Sequence, residues 1–383
     1  MNQNIRIAIT PGDGIGPEVV SEAVHCLEAL RDKYHLPLEW IRFPWPSHAW
    51  HEKHGESMPP DALAQLQRFD AILLGALGDP GPAYDNARYL LPDSVSLAPL
   101  LQIRKHFDQW VCERPARLLP GAHQYLADVR ARNVDMLVIR ENSEGEYVGQ
   151  GGRLRQGTPD EIATQVEIFT YRASERIIRY AFEQARNRAQ QRQASGQPRT
   201  FHGQSGSEST SQVCLVTKRN ALRHWGDLYT EVFAAVARDY PDVALHHELV
   251  DAACMKFVQC PWAFDVVVAS NLQGDILTDL AAILSGGMGV APSCNLNPDN
   301  LELPSMFEPT HGSAPDIAGQ GLADPTAMLL TTARMLEWLS QKTPQLGVAA
   351  EALFNAVTAD LADYSGQQRD THSIGHSVRE RLR

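Results

Sequence analysis

Paired cysteines are missing from this 383-residue chain. Its six (Cys26, Cys112, Cys214, Cys254, Cys260 and Cys294) form no CxxC pair and no ligand-like spacing. That argues against a disulfide framework or a zinc site and for free thiols in a reducing cytoplasm. Long uncharged apolar runs are missing too, and Met-Asn-Gln-Asn-Ile-Arg enters a strand directly with no leader-like segment. A soluble, cytoplasmic protein without a membrane partner is expected. Positive charge is in deficit: the formal net charge is −12. This weighs against nucleic acid or an acidic membrane surface, so an anionic ligand would depend on locally placed cations. There is no internal repeat and no GxGxxG fingerprint.

What is present reads as an α/β protein with two domains or one large unit, since 43% of the residues are hydrophobic and the length permits a sizeable core. Strands are expected at 5–10, 36–43 and 69–75, with a helix from Pro17 to about Asp32 carrying Val20, Val24, Leu27 and Leu30 as its apolar stripe. Gly12, Gly14 and Gly16 look like a dinucleotide loop in outline, but a tight strand-to-helix turn accounts for them equally well. Further on, a helix is expected at 99–111, a strand at 134–139, a protruding β-arm within 149–171 and a helix at 174–190. Residues 191–212 have no apolar periodicity and read as a mobile surface insertion. Strands at 213–216 and 243–250, a helix at 220–239 and amphipathic helices beyond Thr326 complete the pattern.

The chemistry concentrates after the apolar run 264–270. Gly274 is expected to make the turn there and Asp275 to open a helix. Asp275 and Asp279 then lie one turn apart on one face, where like charges repel unless a cation sits between them. A hard ion such as Mg²⁺ or Mn²⁺ suits such oxygen ligands, although an isolated DxxxD is also explained by a helix-start acid and a solvated surface acid. Arg104, Arg114, Arg140, Tyr147, Lys218 and Asp251 fall at predicted strand ends or helix termini, where α/β sites are built. Three arginines suit a small-molecule substrate with several carboxylates, each gripped bidentately, although any one could equally form a surface ion pair. Lys218 ends a buried strand, where burial and a cationic neighbour would depress its pKa and make it a usable base, although a snorkelling strand-end lysine accounts for it equally well. Tyr147 could exchange a proton or simply cap the arm.

Five ordered stretches carry a family resemblance: PGDGIGPE (11–18), RENSEGEY (140–147), VTKRN (216–220), NLQGDILTD (271–279) and EPTHGSAPDIAG (308–319). Together they resemble the β-decarboxylating dehydrogenases, which include isocitrate, isopropylmalate, tartrate and D-malate dehydrogenases. The resemblance implies an isocitrate/isopropylmalate dehydrogenase-like two-domain α/β fold with a mixed sheet, not a Rossmann fold. One domain would use residues 1–109 and 287–383 and bind the cofactor. The other, 110–286, would carry the β-arm and dimerise. It implies a homodimer with shared sites, Lys218 and Asp251 reaching the neighbouring subunit, and Asp251, Asp275 and Asp279 as the metal ligands. It also implies oxidation followed by loss of CO₂, with Lys218 accepting the C2 hydroxyl proton and Tyr147 protonating the enol carbon.

The same resemblance makes Glu308, His311, Gly312, Ser313, Ala314, Asp316, Ile317 and Asp324 the cofactor-binding set. Asp316 would repel a 2′-phosphate, and NADP-preferring relatives carry Lys-Tyr at 316 and 317, so NAD is expected. Mg²⁺ or Mn²⁺ is the expected metal, with K⁺ as a further cation candidate. Asp324 stands where relatives usually have Asn facing adenine; a carboxylate cannot donate to a ring nitrogen. Substrate choice is expected to rest on Leu97, Ala98, Leu100 and Leu101 beside Arg104. These apolar groups disfavour the γ-carboxylate of isocitrate. Stretches 107–111, 264–272 and 291–298 resemble the tartrate and D-malate branch, whereas 250–255 looks more like isopropylmalate enzymes. A malate-type 2-hydroxy diacid is expected, D-malate or tartrate first and 3-isopropylmalate as the alternative.

Overall fold

Runs such as Ala71–Ala76 and Val266–Ala269 are apolar at every position and buried at every position, as strands covered on both faces must be. The computed structural model describes residues 4–78, 93–364 and 369–383. They divide into two compact units, one of residues 1–109, 118–127 and 285–383, the other of residues 110–117 and 128–284.

In the first unit the strands lie in the order Pro292–Leu296, Ser305–Pro309, Ala71–Ala76, Ile5–Gly12, Leu38–Arg42. All neighbours are parallel except the first pair, which is antiparallel. The helix Gly16–Tyr34 buries Val20, Leu27 and Leu30 of the expected stripe and leaves Val24 half-buried, with Pro17 in its first turn and His35 left-handed at its C-terminus. Three helices, Thr326–Leu339, Gln345–Ala362 and Thr371–Leu382, occupy the end of the chain.

The second unit orders its strands Ala244–Leu249, Gln212–Thr217, Val266–Ala269, Asp135–Glu141, Val111–Arg117. Only the last pair is antiparallel. The architecture is therefore α/β with mixed strand directions. The arm is a hairpin of Gly151–Leu154 against Ile162–Gln165, with every residue exposed. No described helix is long and apolar enough to cross a membrane.

Two expectations need correction. Residues 191–212 are not an unanchored surface insertion. The helix Tyr171–Ala194 continues into them, Phe201 is buried, and a short hairpin joins Phe201–His202 to Glu208–Ser209. Ion pairs do the anchoring: Arg192 donates to both oxygens of Asp265 at 2.7 and 2.9 Å, Asp265 being wholly buried. Polar residues can hold a segment in this way without any apolar period.

Gly274 does not make a turn. It lies inside the helix Asn271–Leu284, which starts four residues before Asp275. Its small size serves packing: a Cβ there would stand 2.7 Å from Cγ and 2.8 Å from Cβ of Arg140.

Candidate active site

Parallel pairing sets the site in the second unit. Ala269 is in register with Arg140, so the end of the Asp135–Glu141 strand delivers Arg140 beside the start of the Asn271–Leu284 helix. Arg140 is buried there and donates from Nε and Nη2 to Asn271 Oδ1 at 3.0 and 2.8 Å. Its Nη1 pairs with Asp275. The Tyr147 hydroxyl donates to the other Asp275 oxygen at 3.2 Å, and the Arg140 guanidinium lies 5.3 Å from the Tyr147 ring centroid. Asn271 turns its amide to the Glu144 carbonyl at 2.9 Å. The buried Glu141 carboxylate receives the backbone N–H groups of Ser143 and Glu144, shaping the turn that brings Tyr147 back.

Asp279 follows one helical turn after Asp275. Burial, then the Asp275 charge, pushes its carboxyl above the ordinary range, with Arg114 and Arg140 opposing. Arg114 itself is buried on the Val111–Arg117 strand, opposite Val138. Two carboxylates one turn apart, one of them disfavoured as an anion by burial, fit a divalent cation. They form an incomplete cage: among the described residues no group of three or more His, Cys, Asp or Glu side chains could hold a metal.

Lys218 and Asp251 instead find each other. Thr217 is in register with Leu249, so the two residues leave adjacent parallel strands together and Nζ meets Asp251 Oδ1 at 2.7 Å. That hydrogen bond holds the exposed Asp251 carboxyl below its usual range. The buried, cationic setting expected for Lys218 is not what surrounds it, because its side chain is 30% exposed and faces a carboxylate.

The first unit assembles the cofactor-type residues on one loop. Glu308 ends the Ser305–Pro309 strand, buried, where it accepts from Arg104 Nη2 at 2.7 Å and from Asn295 Nδ2 at 2.8 Å. Arg104, expected on substrate, and Glu308, expected on cofactor, therefore form one buried ion pair. His311 donates to the Gly312 carbonyl at 3.0 Å, and burial lowers its pKa. Ala314 has φ of 42°, a left-handed conformation unusual for a residue with a Cβ and of the kind often found at binding loops. Asp316 is exposed, Ile317 is half-buried and Asp324 accepts from the Thr326 N–H at 2.9 Å. Leu97 links the helices Asp93–Ser96 and Ala98–His106. Leu97, Leu100 and Leu101 are half-buried, and Leu100 packs against the core.

Asn271, Glu141 and Glu18 were not singled out from sequence. Glu18 accepts from Gly319 and Gly321 N–H at 2.5 and 3.0 Å. Gly14 abuts the loop so closely that a Cβ would lie 2.0 Å from the Ser313 carbonyl oxygen, and Ile15 N–H donates to that oxygen at 2.9 Å. The glycine turn thus backs the cofactor-type loop. The signal was the PGDGIGPE stretch itself, which marked the family and a tight turn but not this contact.

The family described as isocitrate/isopropylmalate dehydrogenase matches residues 6–197 and 201–379. The chain belongs to this family. It is 42% identical to a 3-isopropylmalate dehydrogenase of Thermobifida fusca over 99% of this chain and 98% of the relative. A decarboxylating D-malate dehydrogenase of Escherichia coli is 40% identical over 94% and 92%. Among solved structures, isocitrate dehydrogenase from Methylococcus capsulatus superposes with a TM-score of 0.79 at 30% identity, covering 99% of each chain. The expected family and fold class therefore hold, and with them the reaction class, a decarboxylating hydroxyacid dehydrogenase. Members of the family use NAD and a divalent metal.

Proposed function

We propose that this protein oxidises and decarboxylates a malate-type 2-hydroxy diacid, D-malate first and tartrate next, with NAD and Mg²⁺ or Mn²⁺. The observation that carries the reading is the linked set Arg140, Asn271, Asp275 and Tyr147, with Asp279 one turn on. Arg140, with Arg114 on a neighbouring strand, offers guanidinium groups to the substrate carboxylates. Lys218, in its neutral form, accepts the C2 hydroxyl proton, and Tyr147 returns a proton to the enol carbon after CO₂ leaves. A divalent ion bound by Asp275 and Asp279 would supply Lewis acidity toward the developing oxyanion, and NAD would supply the hydride acceptor.

A homodimer with shared sites is part of the proposal. The two-carboxylate cage is completed in this reading by Asp251 of a second copy, with Lys218 arriving beside it through their mutual ion pair. Exposed apolar side chains support a covering partner: Met255 at 72% and Val258 at 51% on one helix, Ile276 at 54% on the next. The uniformly exposed arm adds Leu154 and Ile162.

NAD preference is supported by the exposed carboxylate of Asp316, which would repel a 2′-phosphate. 3-Isopropylmalate stays as a second reading because Leu97, Leu100 and Leu101 offer apolar surface for an isopropyl group. The relative at 42% identity also bears that name. The test is Asp275→Asn in a Mn²⁺-dependent NADH-production assay. Turnover should be lost while the circular dichroism spectrum stays native, and a folded variant with near-normal turnover would sink the assignment.

A further inference from the structure

At the opposite end of the same sheet lies a second charged site, unrelated to the residues above. The Asp135–Glu141 strand begins at this site and carries Arg140 near its other end; the five residue steps between Asp135 and Arg140 span roughly 16 Å. A cleft of about 450 Å³ opens there, within the range of small-ligand sites, lined by Arg117, Arg132, Arg192, Gln197, Arg199 and Trp262. Arg188 stands behind it, paired with Asp135 at 3.0 Å and Asp265 at 2.9 Å.

The local charges do not balance. Asp135 and Asp265 face Arg117, Arg132, Arg188, Arg192 and Arg199, in a protein whose overall charge is −12. Both carboxylates are already engaged by Arg188 and Arg192. Arg199 spends its Nη groups on the carbonyls of Asp135 and Trp262, at 3.0 and 2.5 Å. Its pKa is lowered, first by burial and further by the Arg192 and Arg188 charges, while Asp135 and Asp265 oppose this. Arg132 gives Nε to the Val129 carbonyl and is exposed; Arg117 is exposed, lies opposite Asp135 in the strand pair with its charge acting on that carboxylate, and makes no side-chain hydrogen bond among the described residues. Arg192 is 8% exposed and spends Nη1 and Nη2 on Asp265 and the Thr210 carbonyl, while its buried Nε has no hydrogen-bond partner among the described residues. Guanidinium groups cannot discharge by losing a proton, so this cleft holds standing positive charge with unspent donors.

We infer that the cleft binds a small polyanion, one carrying two or more phosphate or carboxylate groups, gripped by Arg117 and Arg132 at its mouth and Arg192 and Arg199 within. Trp262 supplies a half-buried aromatic wall whose indole already lies 4.4 Å from the Arg130 guanidinium. The site stands apart from the proposed reaction and does not depend on it.

Titration calorimetry on the intact, metal-free protein tests this, with inorganic pyrophosphate and citrate as separate probes. Saturable binding of one probe molecule per chain is expected, weakening as salt rises. The stronger probe tells a phosphate site from a carboxylate site. In Arg117→Glu/Arg132→Glu the affinity should fall by at least about tenfold, since each lost charge-assisted contact contributes on that scale. Dehydrogenase turnover should be unchanged in the same variant. Arg117→Ala serves as a milder variant should the double change impair folding. No saturable binding of either probe at millimolar concentration would overturn the inference, as would undiminished affinity in the folded variants.

Discussion

Gly274→Ala places a methyl group where the helix Asn271–Leu284 touches Arg140. The new Cβ would stand 2.7 Å from Cγ, 2.8 Å from Cβ and 3.2 Å from Cα of Arg140. Carbon atoms settle at about 3.5–4.0 Å, so helix and arginine must part by roughly 1 Å. The near atoms belong to the root of the arginine side chain, which cannot swing aside as its tip could. Two effects on stability oppose each other. Alanine favours a helix by about 1 kcal/mol over glycine, while overpacking costs about 1–3 kcal/mol, so the net loss is small, about 0–2 kcal/mol. Activity should suffer more, because the displaced atoms hold Asp275, Asn271 and Tyr147 together, and a misplacement near 1 Å costs on the order of 100-fold. Steady-state kcat/KM with Mn²⁺ and NAD, set beside a thermal melt, reads both. Gly347→Ala is the control, since its Cβ would meet nothing closer than Ser340 at 3.5 Å. A Gly274→Ala enzyme with near wild-type kcat/KM would refute the reasoning.

Asp279 gives a pH signature. Its folded pKa is raised, so the stabilising protonated form dominates at low pH and that contribution is lost as pH rises through the raised value. Without divalent metal the melting temperature of wild type relative to Asp279→Asn should therefore fall as pH rises above the ordinary carboxylate range, and Mn²⁺ should reverse the trend; a flat difference would contradict it. Replacing Asp316-Ile317 with Lys-Tyr should shift preference from NAD toward NADP in paired kcat/KM measurements, and an unmodified enzyme that already favours NADP would overturn the cofactor reading. Asp324→Asn keeps an acceptor for the Thr326 N–H and adds a donor for adenine, so KM for NAD should fall; an unchanged KM would separate Asp324 from the cofactor.

Elements with a strong apolar period were legible in the residues alone. Val20, Leu27 and Leu30 face inward from one helix as their spacing requires, and the apolar strands need no other explanation. Gly274 misled because a glycine chosen for close helix packing and one chosen for a turn look identical without the neighbour it touches. Residues 191–212 misled because buried ion pairs such as Arg192–Asp265 leave no periodic trace. The site was visible where an i,i+4 spacing or a motif marked it, as for Asp275 and Asp279. It was invisible where partners are 131 and 204 residues apart, as in Arg140–Asn271 and Arg104–Glu308. The Lys218–Asp251 pair arises from the register of two parallel strands, which chain order does not disclose.

The central claim concerns the diacid, and one comparison bears on it most directly: kcat/KM for D-malate, tartrate, 3-isopropylmalate and isocitrate with the same Mn²⁺ and NAD. In the proposed site Leu97, Leu100 and Leu101 would give a γ-carboxylate no hydrogen bond, and an unpaired buried charge costs several kcal/mol, so isocitrate should trail by roughly a hundredfold or more. D-malate should lead and tartrate follow. A 3-isopropylmalate value far above D-malate would move the assignment to the second reading, and isocitrate at the head of the series would contradict the account.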